Sequence, residues 1–77
     1  MLLGAVLANI VADVIIRLNN DVSGYMKKES VYIISGVIEE RLNDIMISLE
    51  ENGLTAVEVL SMGDWRAIAA RLKGKEN

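Results

Sequence analysis

The sequence predicts an α/β fold in the order β-α-β-α-β-β, ending in an antiparallel hairpin, and three observations carry that prediction. Two short apolar runs, "LLGAVLA" and "VYIIS", are each followed by a segment whose apolar residues recur at three- and four-residue steps. The second such segment stops at Asn52-Gly53, a natural helix terminus. Beyond it, "LTAVEVL" and "WRAIAAR" are strand-like and separated by the turn-rich "SMGD", the spacing of a hairpin.

Taken in order, residues 2–8 form a continuous apolar run short enough for a strand buried on both faces. From Ile10 the pattern changes: Val11, Val14, Ile15, Leu18, Val22, Tyr25 and Met26 continue one stripe of a helix over residues 10–27, with Asp13, Arg17, Asn20 and Asp21 mostly on the other side. Lys27 and Lys28 suit the carbonyl end of that helix. The β-branched and aromatic "VYIIS" is a strand over residues 31–35. Over residues 37–52, Ile38, Leu42, Ile45, Met46 and Leu49 mark one helical face, while Glu39, Glu40, Arg41, Asp44, Glu50 and Glu51 mark the other. The hairpin strands cover residues 54–60 and 65–71, and the polar tail after them is expected to fray. With no repeat, linker or low-complexity segment, residues 1–77 read as a single partial domain: two right-handed crossover units joined to a hairpin.

Composition excludes several chemistries. The chain has no Cys and no His, so it has no disulfide, no thiolate nucleophile, no common zinc ligand set and no imidazole base. A net charge of −3 gives nucleic acid no general electrostatic attraction. No Lys or Arg precedes the apolar N-terminus, and Asn9 and Asp13 interrupt it, which argues against a signal peptide or a bilayer span. At 77 residues, the domain buries only about 60% of the surface its unfolded chain exposes, so an uncovered apolar face matters.

Asn9 lies where the first strand gives way to the first helix, and two readings stay open for it. Ligands of open α/β sheets bind outside the carboxyl ends of strands, where an amide can both donate and accept. Asn is equally among the best N-caps. Ser35 and Gly36, at the end of the next strand, are secondary ligand candidates, and a tight strand-to-helix turn with Ser as cap explains them as well. Trp65 reads as a packing residue, and Glu39 and Glu40 as solvated carboxylates at a helix start.

The stretches "VLANIVADVIIRL", "VYIISGVIEERLNDIMISLEENGL" and "VEVLSMGDWRAIAARL" together resemble the C-terminal part of the bacterial ribosomal protein L-eleven methyltransferase family, which is dependent on S-adenosylmethionine. The resemblance covers residues 6–72 and rests on "ANI-AD" after one strand, "SG-I-EE" after the next and a "G-W-A" pattern opening the last. It implies the C-terminal half of a class I methyltransferase (Rossmann-like) fold. It further implies that Asn9 contacts the methionine part of S-adenosylmethionine and orients the amine to be methylated, a positioning role that needs neither His nor Cys. The complete parent would methylate amines on a ribosomal large-subunit protein in the cytoplasm.

This sequence departs from the family pattern: no G-x-G-x-x-G turn lies among Gly4, Gly24 and Gly36, and the acidic ribose contact is missing with it. The expectation is therefore a fragment, inactive alone, with no catalytic residue and no metal site of its own, binding no cofactor, nucleic acid or membrane. The alternative is a small self-associating α/β protein-interaction module. Either way, the strand over Leu2–Ala8 would have a free, uncharged edge, so a homo-oligomer with Leu2–Ala8 at the contact is expected.

Overall fold

The run "LLGAVLA" holds one β-branched residue, Val6, and one glycine, Gly4, and its other five residues are leucines and alanines, strong helix formers. In the computed structural model, which describes residues 2–74, this run is helical. It opens α1, Leu2–Val22, which a 3-10 turn at Ser23–Tyr25 continues. The strand expected over residues 2–8 is thereby corrected, and with it the free strand edge proposed as an oligomer contact. A strand needs a neighbour for its N–H and C=O groups, whereas a helix closes those bonds within itself. Asn9 is accordingly neither a hinge nor an N-cap but sits inside α1. The helix ends before residue 27 because Ser23 and Gly24 are weak helix formers. Lys27 instead joins a turn, its N–H donating to Ser30 Oγ at 2.9 Å and its carbonyl accepting from the Ser30 N–H at 2.9 Å.

The remaining elements are β1 (Tyr32–Ile38), α2 (Glu39–Glu51), β2 (Leu54–Met62) and β3 (Trp65–Leu72). The sheet has three strands in the order β1-β3-β2, with both flanking strands antiparallel to β3. It follows that β1 and β2 run parallel to each other, joined by α2, with β3 between them. The expected pair of crossovers is reduced to this one, because the first strand is absent from the fold.

β1 runs three residues past Ser35 by means of a bulge. Ile34 pairs with Ile68 and Val37 with Arg66, so Ser35 and Gly36 together stand opposite Ala67 alone. Gly36 has a φ of 74°, the left-handed conformation such a bulge places on glycine. The extra residue resets the alternation, and Ile34 and Val37 both face the core. Ser35-Gly36 is thus part of a strand rather than a strand-to-helix turn, and α2 starts after Ile38 with no side-chain cap. A second bulge separates Ala56 from Glu58 on β2. Between β2 and β3 the hairpin turns on Gly63-Asp64, with a positive φ at Gly63.

Two helices cover one face of the sheet. Ile45 and Leu49 of α2 pack with Ala12 and Ile15 of α1 against Ile34, Val37, Leu54, Ile68 and Ala70. On α1 the buried stripe is Ala8, Ala12, Ile15 and Asn19, while Ile10, Val11, Val14, Leu18 and Tyr25, expected in the core stripe, are exposed. Asn19 is fully buried: its Nδ2 donates to Ser48 Oγ at 3.1 Å and its Oδ1 accepts from the Tyr32 hydroxyl at 3.0 Å. Such a group is stable inside only when hydrogen-bonded, and these two bonds tie α1 to α2 and to β1. Among the described residues, no helix is long and apolar enough to cross a membrane.

Three outcomes are expected. No atom comes within 4 Å of a Cβ built on Gly36, so the cost of Gly36→Ala is conformational, about 1–2 kcal/mol in urea unfolding. Gly24→Ala, equally uncrowded and without a positive φ, should change stability by less than about 0.5 kcal/mol. Burial raises the Tyr32 phenol above its ordinary value, so the folded state holds that proton more tightly than the unfolded one. The stability it contributes is complete below about pH 10 and is lost as pH rises through the folded value. Unfolding of Tyr32→Phe should therefore show a shallower alkaline fall than the parent chain.

Candidate functional site

Residues four apart on a helix share a face, and α1 thereby places Asn9 and Asp13 one above the other on its polar side. The first turn of α2 brings Arg41 against them. Its Nη1 donates to Asn9 Oδ1 at 2.9 Å and to the Asn9 carbonyl at 3.3 Å, its Nη2 to Asp13 Oδ1 at 2.7 Å and its Nε to Asp44 Oδ2 at 3.0 Å. One planar guanidinium thus joins α2 to α1 through an amide and a carboxylate, while Asp44 on its own helix holds it from the other side. Its hydrogen bonds to Asp13 and Asp44 raise its pKa further, so it stays charged. An arginine cannot accept a hydrogen bond, which sets the Asn9 amide with its oxygen toward Arg41 and Nδ2 away from it.

Ser35 and Gly36 are held differently, by the bulge of β1, where Ser35 is exposed and Gly36 half-buried. Asn9 belongs to the helical layer and the Ser35-Gly36 pair to the sheet. Glu39 and Glu40 begin α2 as expected, but Glu39 also accepts from Arg66 Nη2 at 3.0 Å. Trp65 lies on the sheet face away from the helices, paired with Ile38 and Met62, and is half exposed.

That outer face holds a shallow hollow of about 120 Å³ lined by Ile33, Glu58, Leu60, Ala67, Ile68 and Ala69. Small-molecule pockets run to about 300–1,000 Å³ with several convergent polar groups. The hollow is smaller, almost wholly apolar and lacks a glycine-rich turn, so it does not fit S-adenosylmethionine. Among the described residues, no group of three or more acidic side chains is placed to hold a metal ion.

Reading the sequence alone missed Arg41 and Asn19. Arg41 is one charge among several on the solvent side of α2, and nothing local marks it as the one that reaches α1. Asn19 carried a usable signal: it continues the four- and three-residue steps of Ala8, Ala12 and Ile15, so a polar group falls on a buried stripe.

Comparison with known proteins gives a consistent result. The family described as ribosomal protein L11 methyltransferase (PrmA) matches residues 2–73. A ribosomal protein L11 methyltransferase of Caldicellulosiruptor bescii is 46% identical over 66 residues, 86% of this chain and 22% of that protein. Its counterpart in Ruminiclostridium cellulolyticum is 44% identical over 63 residues, 82% of this chain and 20% of that protein. One from Alkaliphilus oremlandii is 39% identical over 69 residues, 90% of this chain and 22% of that protein. The chain spans about a fifth of the length of these curated relatives. No solved structure matches.

Arg41→Ala should lower the melting temperature by separating α1 from α2, and Arg41→Lys should restore only part of the loss, since an ammonium lacks the fork that meets Asn9 and Asp13 together. The difference should shrink in about 1 M salt, where exposed ion pairs are screened.

Proposed function

The chain belongs to the ribosomal protein L11 methyltransferase family, and from that membership we propose that it is the C-terminal segment of an S-adenosylmethionine-dependent enzyme that methylates amines on a ribosomal large-subunit protein. The observation that carries this reading is the match across residues 2–73 against relatives about five times as long. The α/β arrangement, with β1 and β2 parallel and α2 between them in sequence, is compatible with part of a Rossmann-like domain.

On this reading the segment is inactive alone. The sequence has no G-x-G-x-x-G turn to approach the cofactor closely. Asn9 is the proposed contact to the methionine part of S-adenosylmethionine in the complete enzyme, with Ser35 and Gly36 as secondary contacts. A side-chain amide both accepts and donates, the pair of capacities that orienting an amine and a carboxylate calls for. The cytoplasm, where ribosomes work, is the proposed location. A second reading, a self-associating protein-interaction module without cofactor, draws support from the large apolar side chains left exposed on α1 and on the sheet.

Titration calorimetry of the 77-residue chain with S-adenosylmethionine should give no binding heat; micromolar affinity would contradict the fragment reading. In a complete enzyme carrying this segment, Asn9→Ala should reduce kcat by about tenfold or more while folding stability falls by about 1–2 kcal/mol, the scale of an exposed hydrogen bond from a charged donor. Unchanged turnover per folded molecule would remove Asn9 from the site.

A further inference from the structure

Along α1, Leu7, Val11, Val14 and Leu18 follow at steps of four, three and four, the spacing of a helix-to-helix seam. The four are 53%, 45%, 48% and 53% exposed, and Ile10 borders them at 52%. They lie on a different side of the helix from Ala8, Ala12, Ile15 and Asn19, which face the core, and from Asn9 and Asp13, which face Arg41. α1 is therefore apolar over more of its circumference than the sheet and α2 cover, the mark of a helix with a further neighbour.

The stripe itself specifies the neighbour, because its order is the same read from either end. Leu7 and Leu18 are equidistant from the midpoint between Ala12 and Asp13, and so are Val11 and Val14. A second α1 laid antiparallel about a two-fold axis through that midpoint sets Leu7 against Leu18 and Val11 against Val14, with no charge in the seam. A two-fold contact needs a self-complementary patch, and this one is complementary to itself in sequence as well as in chemistry.

We propose that the face Leu7-Val11-Val14-Leu18 is the contact of an antiparallel homodimer of this chain. The inference does not rest on the family reading. It places self-association on the exposed side of α1, where the strand-edge contact first expected at Leu2–Ala8 does not exist. The five half-exposed side chains offer roughly 450 Å² per copy, against about 800 Å² in a standard interface, so the dimer is a weak one, with dissociation on the order of 10–100 μM.

Sedimentation velocity across about 5–500 μM, a range bracketing that affinity, should show a monomer–dimer equilibrium that closes at the dimer. Val11→Glu and Val14→Lys, made in separate chains, should each weaken it at least tenfold. Circular dichroism and Trp65 fluorescence should stay unchanged, since both positions are exposed. Mixing the two variants should restore dimerisation, because the register sets residue 11 of one copy against residue 14 of the other. A monomer throughout the range would overturn the proposal. So would dimers that survive both variants but are lost on Leu60→Glu, which would move the contact to the outer sheet face. Growth beyond the dimer, as when α1 of one copy seats on the sheet of the next, would overturn it as well.

Discussion

Among the described residues β1 has a hydrogen-bonded neighbour, β3, on one side only, and Leu2–Ala8, apolar enough to extend the sheet on the other side, closes its backbone bonds within α1 instead. The rest of the molecule follows from that choice. It makes α1 a 21-residue helix, carries Asn9 and Asp13 to the side that Arg41 can reach, and turns Leu7, Val11, Val14 and Leu18 away from the core. Leucine and alanine tip the balance by propensity, and a helix needs no second segment to satisfy its N–H and C=O groups.

The core then has to form from one face of a small sheet and two helices. α1 contributes small side chains, Ala8 and Ala12, which let its backbone approach closely, and α2 contributes the larger Ile45 and Leu49. Asn19 stands among them as a buried amide whose partners come from two other elements, Ser48 and Tyr32. It fixes how α1 is turned about its own axis more sharply than interchangeable apolar contacts would, because a rotation that breaks either bond leaves a buried polar group unsatisfied. Arg41 holds the same helix pair nearer the N-terminal end of α1. One clamp is buried and neutral, the other solvent-facing and charged.

How much of this was legible in the sequence varies by element. The β-branched run at Tyr32–Ile34, the stripe of α2 and the hairpin are visible because their signals are local: side-chain branching, a three- and four-residue period, and Gly63-Asp64 between strand-like runs. Residues 2–8 read as a strand because a short apolar run has no period to separate strand from buried helix, and what distinguishes the helix is its leucine and alanine content. The α1 stripe was misassigned because the helix is apolar on two sides and its period alone cannot say which one the sheet covers. The Ser35-Gly36 bulge was invisible for another reason: it exists to bring Val37 into phase with Ile34, a requirement set by β3. Asn9 was noticed, but as a strand-end residue. That Arg41, 32 positions away in the chain, would grip it is a tertiary fact with no local sign.

Backbone chemical shifts and amide-to-amide contacts of residues 2–8 in the 77-residue chain test this most directly, because the placement of Asn9, the grip of Arg41 and the uncovered stripe all depend on that segment being helical. Helical carbon shifts continuous from residue 2 to residue 22, with sequential amide contacts throughout, are the expected result. Extended shifts over residues 2–8, with amide contacts to Tyr32–Ile38, would contradict it and return Asn9 to the end of a strand.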